Sequence, residues 1–481
     1  MLYMSGDNNL SEECVYNLTE AKAALTENYD PDKLAVLAQF DPAGVRAETR
    51  RYHLRPHRDP KEPKDLTHFT LNEDAEDTRW RAHETDSGEP KNLLDFLRWG
   101  ISEHPAEHYM VVLVGHGSGT NDDYLLRDDN PANALSIDGL RWVFDQLTAD
   151  GETVDILGFD TCLMNMAEVS FELLRTNVRY MVGSEGYSPN TGWPYKKILE
   201  YLVYNIQTTD LELAKQITKE YRNFYLPYIS GGVSVDQSVL EVKKINEVKK
   251  KMFTLVGALM DDLNNKDPNY KNALVLAHWD AQSYNGETFV DLYDFCQRLI
   301  IRYQEFKITN SVIEKCQAVK TAINEMVLET YLAGIATQYS YGLSMYFPWA
   351  VVSPSYRNLA FPKETGWLDY LMRYHTATRR QGRKSAEPPE LDRDLESPFR
   401  ATPETNKGRD GRVASMRNPP DEEYNRDFDD PVDISKPITP RLESGPATSA
   451  RRPAPASESP APGSAVVEAT TKKTAGNKNG K

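Results

Sequence analysis

Short, continuously apolar runs alternate with amphipathic stretches through the first half of the chain. Residues 109–114 (Tyr-Met-Val-Val-Leu-Val) and 154–159 (Val-Asp-Ile-Leu-Gly-Phe) are brief and rich in β-branched and apolar side chains. That is the pattern of strands covered on both faces, as in a parallel sheet. Residues 33–40 and 180–183 repeat it. Residues 10–28, 92–103 and 136–148 carry apolar positions at helical spacing, and 49–56 and 66–72 read as extended or hairpin segments. This alternation predicts an α/β region over 1–230 with a mostly parallel sheet covered by helices. From 231 to 375 the pattern changes. A short strand at 232–235 precedes helical stretches at 242–264, 289–303 and 312–332, and 341–347 closes with strand character. This half is expected to pack on the first as a C-terminal subdomain. No internal repeat interrupts the pattern.

The chemistry gathers where two apolar runs end. His116 follows the first run in Val-Gly-His-Gly-Ser-Gly, and Cys162 follows the second in Gly-Phe-Asp-Thr-Cys-Leu-Met. Open α/β sheets build their sites at the carboxyl ends of neighbouring strands, so the thiol and the imidazole are expected side by side. A cysteine with an adjacent histidine is the equipment of nucleophilic catalysis at neutral pH. Gly115, Gly117 and Gly119 allow a sharp turn and a close substrate. Beyond Cys162, the apolar Leu163, Met166, Ala167 and Leu174 recur at helical spacing, which predicts a helix N-terminus beside the thiol and a lowered thiol pKa. Cys14, Cys296 and Cys316 lie in apolar, helix-like stretches and read as small buried hydrophobes. Spacing alone leaves both a catalytic pair and two simple turns open.

A set of ordered motifs goes further. Tyr3-Met4-Ser5-Gly6-Asp7-Asn8-Asn9-Leu10, Gly115-His116-Gly117, Asp160-Thr161-Cys162-Leu163-Met164, Gly183-Ser184-Glu185 and Gly192-Trp193-Pro194-Tyr195 resemble the clostripain family of cysteine peptidases. So do Val290-Asp291-Leu292-Tyr293-Asp294-Phe295 and Tyr341-Gly342-Leu343-Ser344-Met345-Tyr346-Phe347-Pro348. The family's clan also contains caspases, legumain, gingipains and separase. The resemblance runs over roughly residues 1–350 and implies a caspase-like α/β/α sandwich with a His116–Cys162 dyad. It implies an oxyanion hole from the backbone N–H groups of Gly117 and Cys162, and cleavage after Arg or Lys at P1. Asp160 stands where the family lines its P1 pocket with an acid; the competing reading is the N-cap of the helix expected after Cys162. Glu185 is either a second pocket acid or a solvated loop charge, and Trp193 a pocket wall or a packing anchor. Some relatives cut themselves between the histidine and the cysteine; here Arg127 is the one basic residue of 118–135 and the candidate site. Some relatives need calcium, and Asn121, Asp122, Asp123, Asp128 and Asp129 offer oxygens but not EF-hand spacing. No metal or other cofactor is expected.

Composition then limits the remaining possibilities. Residues 376–481 hold 14 of the 29 prolines, no Trp, and only Phe399, Tyr424 and Phe428 as aromatics. Such a segment buries too little apolar surface to offset its ordering entropy, so a disordered tail is expected, as a tether or as a docking segment for an unknown partner. The formal net charge of −16 argues against a nucleic-acid partner. No run approaches the ~18 apolar residues of a membrane span. The first strand starts almost at Met1, which fits a cytoplasmic chain if that start is right and a secreted one if a leader has been lost. Two further readings compete with a basic-specific endopeptidase. One is a dedicated protease that activates a single partner, and the other is a non-catalytic scaffold on the same fold.

Overall fold

A computed structural model describes residues 1–378 apart from 27, 45–46 and 57–83. The extended segment expected at 66–72 and nearly all of the tail expected from 376 lie outside the described residues. The strands are β1 (Leu2–Gly6), β2 (Leu37–Pro42), β3 (Arg50–His53), β4 (Met110–Val114), β5 (Leu125–Asp129), β6 (Ala132–Leu135), β7 (Val154–Asp160), β8 (Val178–Gly183), β9 (Val235–Glu241), β10 (Ser283–Tyr284), β11 (Phe289–Asp291), β12 (Val327–Ala333) and β13 (Ser344–Tyr346). Eight of them form one sheet in the order β12-β9-β8-β7-β4-β1-β2-β3. The five strands from β8 to β2 run parallel. Both margins turn antiparallel, through β3 on one side and β9 and β12 on the other.

The apolar runs behave as their composition demands. In β4, Val111 and Leu113 enter one buried layer while Val112 and Val114 enter the layer on the opposite face. A strand with both faces covered needs apolar residues at every position, which is why the run is continuous. The second face carries α1 (Ser11–Ala23), whose Cys14, Leu18 and Ala21 are buried against it. The first face carries α2 (Pro90–Glu103), α3 (Ile137–Ala149) and α4 (Ala167–Glu172). The helix α3 is the expected crossover between β4 and β7, and its N-cap Ser136 accepts the Gly139 N–H at 3.0 Å. Helices α5 (Tyr195–Tyr204) and α6 (Asp210–Tyr225) return to the second face. The sandwich is the expected one.

Beyond residue 230 the chain does more than pack on that sandwich. Strands β9 and β12 extend the same sheet, so its hydrogen bonding crosses the expected boundary without a break. Helices α7 (Ile245–Leu263), α8 (Pro268–Asp280), α9 (Leu292–Glu305), α10 (Val312–Met326), α11 (Ala360–Thr365) and α12 (Trp367–Thr378) join the first buried layer. The helix expected over 312–332 ends at Met326, and the chain passes directly into β12. Residues 327–332 are only half-buried, so their apolar positions do not distinguish a helix face from a marginal strand. The boundary expected at 375/376 falls inside α12.

One buried acid stitches these parts together. Glu168 of α4 is fully buried, and its Oε1 accepts the Tyr346 N–H of β13 at 3.1 Å and the Tyr356 hydroxyl at 2.7 Å. Burial raises its pKa to about 7, against the two donors that favour the anion. The fold therefore favours the protonated acid. That stabilisation is complete below the ordinary glutamate pKa and disappears as pH rises through about 7. Glu168→Gln stays neutral at every pH. Its stability relative to the parent should climb by up to about 3 kcal/mol between pH 4.5 and 8 in denaturant melts, and a flat difference would contradict the buried-acid account.

Candidate active site

Register fixes the site. In the β4–β7 pairing Val114 lies opposite Asp160, so the residues two further on, His116 and Cys162, leave the sheet side by side. The Gly115 N–H donates to the Asp160 carbonyl at 3.3 Å and prolongs the pairing into the turn. A Cβ on Gly117 would stand 2.6 Å from the Cys162 carbonyl oxygen, so only glycine lets the two turns touch. Gly117 also bridges Leu125, but the bonds run from Leu126 N to the His116 carbonyl and from Ser118 N to the Tyr124 carbonyl. The Gly117 N–H is thus left out of that pairing.

The helix expected at Cys162 begins five residues later. Residues 161–166 turn through Leu163 at φ 63°, Met166 bridges Ser344, and α4 opens only at Ala167. The apolar spacing at Leu163 and Met166 reflects burial of a bend, not a helix face. No helix dipole therefore acidifies the thiol. Burial, followed by the charges of Asp160 and Asp236, pushes Cys162 up to about 11, while the Ser188 N–H, 3.3 Å from Sγ, pulls the other way. The imidazole is positioned by a residue given no role in the sequence reading. The Nε2–H of His116 donates to Asn9 Oδ1 at 2.6 Å, which leaves Nδ1 as the basic nitrogen. Asn9 follows β1 at the same end of the sheet, within the Tyr3–Leu10 motif, but only the fold brings it to the imidazole.

Asp160 ends β7 with its side chain 5% exposed. Its Oδ2 accepts the Trp193 N–H at 3.0 Å and the Tyr195 hydroxyl at 2.8 Å. It caps no helix, so the capping alternative falls. Burial lifts it to about 6 despite those two donors, and at neutral pH it is chiefly an anion. Asp160 lines a narrow cleft with His116 and Cys162, bounded by Glu13 and Asn17 of α1 and by Ser188, Pro189 and Gly192. The open space is about 30 Å³, room for about two water molecules. A larger cavity of about 760 Å³ at Arg51, Asp95 and Trp99 contains neither thiol nor imidazole.

The other sequence candidates separate. Glu185 is 0% exposed and is neither a solvated charge nor part of the cleft wall. It accepts the Gly342 N–H at 2.7 Å and faces Asp291, and burial together with that neighbour holds it protonated, well above the usual carboxylate range. Trp193, 2% exposed, packs its ring on Gly158 beneath the sheet, so of the two readings it is the packing anchor. Only its backbone serves the cleft, through the bond to Asp160. Arg127 lies in β5. Its carbonyl accepts Ser5 Oγ and Asn8 Nδ2, both at 2.7 Å, and its guanidinium pairs with Asp129 at 2.9 Å. Of the five residues that could have bound calcium, Asn121 donates to Asp122 and Asp123 accepts the first N–H of α3. Asp128 alone turns into a cluster of other acids.

With this geometry in view, comparison with known proteins is decisive. The model of the clostripain family matches residues 2–373. The chain belongs to the clostripain family. Clostripain of Hathewaya histolytica is 22% identical over 370 residues, which cover 62% of this chain and 65% of that protein. The chain thus spans just under two thirds of its relative's length. Among solved structures, a secreted C11 cysteine protease of Bacteroides thetaiotaomicron in complex with an irreversible peptide inhibitor shares the fold. Its TM-score is 0.55 at 19% identity, over 76% of this chain and 98% of that one. An inactive zymogen C11 protease of Parabacteroides distasonis aligns with TM-score 0.50 at 19% identity, over 78% and 95% of the two chains. The likeness confirms the α/β sandwich expected of a clostripain-family chain. Among the described residues, no helix is long and apolar enough to cross a membrane.

Gly192 offers a test of the cleft wall. At φ 73°, its Cβ would lie 2.7 Å from Asp160 Oδ2. Gly192→Ala should lower stability by about 1–3 kcal/mol, read as a drop in melting temperature. Gly231→Ala, where the added Cβ meets nothing within 4 Å, should leave it near the parent value.

Proposed function

We propose that this clostripain-family chain is a cysteine endopeptidase that cuts peptide bonds after Arg or Lys through a Cys162–His116 dyad. The observation that carries this reading is the placement of both groups, by strand register, over one cleft whose wall includes the Asp160 carboxylate. Sγ of Cys162 attacks the scissile carbonyl as its proton passes to His116 Nδ1, with Asn9 holding the far side of the ring as a positioning residue. His116 then protonates the leaving amine, and the resulting thioester is hydrolysed by water activated at the same nitrogen. The Gly117 and Cys162 N–H groups are suited to receive the oxyanion, a contribution typically of ~3 kcal/mol.

The raised thiol pKa fits substrate-dependent activation. The negative potential of Asp160 helps to keep the proton on Cys162. A cationic P1 side chain paired with Asp160 cancels that potential and makes the thiol more acidic when a cleavable substrate is seated. The same carboxylate, left unpaired by an acidic or apolar P1 group, disfavours those substrates. The cleft, with about 30 Å³ of open space, must widen to admit a P1 chain. Self-cleavage after Arg127 would first require its carbonyl to leave Ser5 and Asn8.

Hydrolysis of fluorogenic peptides with Arg, Lys, Asp, Asn or Leu at P1 tests the reading. Turnover of the Arg and Lys peptides alone, abolished by Cys162→Ala, is the expected result; activity that survives the mutation rules out the thiol as nucleophile. Asp160→Asn keeps an acceptor for Trp193 and should lower kcat/KM on Arg and Lys peptides roughly 10²- to 10³-fold with little change in melting temperature. An equal loss for every P1 residue would deny Asp160 a part in specificity.

A further inference from the structure

The cleft holds one buried polar group that the mechanism leaves unused. Asn17 sits inside α1 and is 2% exposed, yet it lines the cleft with Asp160, His116 and Cys162. Its Oδ1 is buried with no hydrogen-bond partner. Buried amide oxygens are normally bonded, and an unmet one carries its desolvation penalty in the folded chain. The neighbours of Asn17 on the buried side of the helix, Cys14, Leu18 and Ala21, are apolar. An asparagine among them costs stability and weakens the helix.

The amide faces the acid of the pocket. A Cβ built on Gly192 would lie 3.0 Å from Asn17 Nδ2, 2.7 Å from Asp160 Oδ2 and 3.1 Å from Asp160 Oδ1. Amide and carboxylate therefore flank one point, and a half-turn of the amide brings its oxygen where its nitrogen stands. The two oxygens of Asp160 are not equivalent. Oδ2 already accepts the Trp193 N–H and the Tyr195 hydroxyl, whereas Oδ1 accepts no hydrogen bond from the described residues. Glu13, one turn before Asn17, lines the same cleft, and among the described lining residues there is no Lys or Arg. The potential in the cleft favours a cation.

The unequal oxygens decide which cation. A guanidinium pairs best with a carboxylate through two parallel bonds, one to each oxygen, and the two donors on Oδ2 block that arrangement. An ammonium is compact, carries three rotatable donors and needs only one oxygen from each neighbour. We propose that Asn17 is a specificity residue of the P1 site, where its amide oxygen and Asp160 Oδ1 together select the ammonium of Lys over the guanidinium of Arg. This rests on the reading of the cleft as the site of cleavage after basic residues.

Fluorogenic peptides that differ only in Lys or Arg at P1, cleaved by the full chain, test the assignment. The parent should turn over the Lys peptide with kcat/KM roughly 10-fold or more above the Arg peptide. Asn17→Ala should lower kcat/KM for Lys about 10- to 100-fold and for Arg by less than about threefold, with little change in melting temperature. Asn17→Asp restores an acceptor and should recover Lys turnover relative to Asn17→Ala; no recovery overturns the acceptor role. A parent that prefers Arg overturns the proposal. An equal loss on both peptides in Asn17→Ala overturns it too, since it marks a structural role. These results leave cleavage after basic residues standing, whereas a parent that cleaves neither peptide removes that reading and this one with it.

Discussion

The parallel pairing of β4 with β7 is the constraint on which the rest depends. Its register, with Val114 opposite Asp160, sets where two turns begin, and a thiol and an imidazole leave the sheet from equivalent positions. A slip of one residue would exchange the two faces of a strand, sending Val112 and Val114 into the layer built for Val111 and Leu113. Burial on both sides makes that exchange prohibitive. The precision of the site therefore comes from core packing and needs no dedicated scaffold of its own.

The carboxylate at the end of β7 shows how the same sheet handles charge. Asp160 is nearly all buried but satisfied by Trp193 and Tyr195, so burial lifts it only to about 6 and it remains chiefly an anion at neutral pH. Glu185, on the turn after the neighbouring strand β8, is sealed against Asp291 and held neutral. Both acids are buried, and what separates them is their company: two donors for Asp160, further carboxylates for Glu185.

Those two outcomes also mark the limit of what could be read from the chain. Strands buried on both faces declare themselves, because every position must be apolar, and so β4 and β7 and the pair at their ends were legible. The polar loop after β8 was not. Glu185 looks solvated until its partners at Asp291 and Gly342, more than a hundred residues away, are brought beside it. The bend after Cys162 imitated a helix because its buried Leu163 and Met166 happen to be three residues apart. The 312–332 stretch failed for the opposite reason: β12 is half-exposed, so its pattern carries little information about its pairing. Asn9 stood in a recognisable motif, but only the fold brings it to His116.

The wall of the cleft is anchored by distant parts of the chain. The loop that touches the thiol is fixed at Glu185 N and Gly186 N by Asp236 of β9, and Glu185 in turn by Gly342; Asn165, just past the thiol, is tied to Ser344. During synthesis, a chain that has emerged only as far as β8 possesses both His116 and Cys162 but lacks every one of those anchors. The thiol thus meets a shaped cleft only after some 160 further residues have been made and folded back onto it.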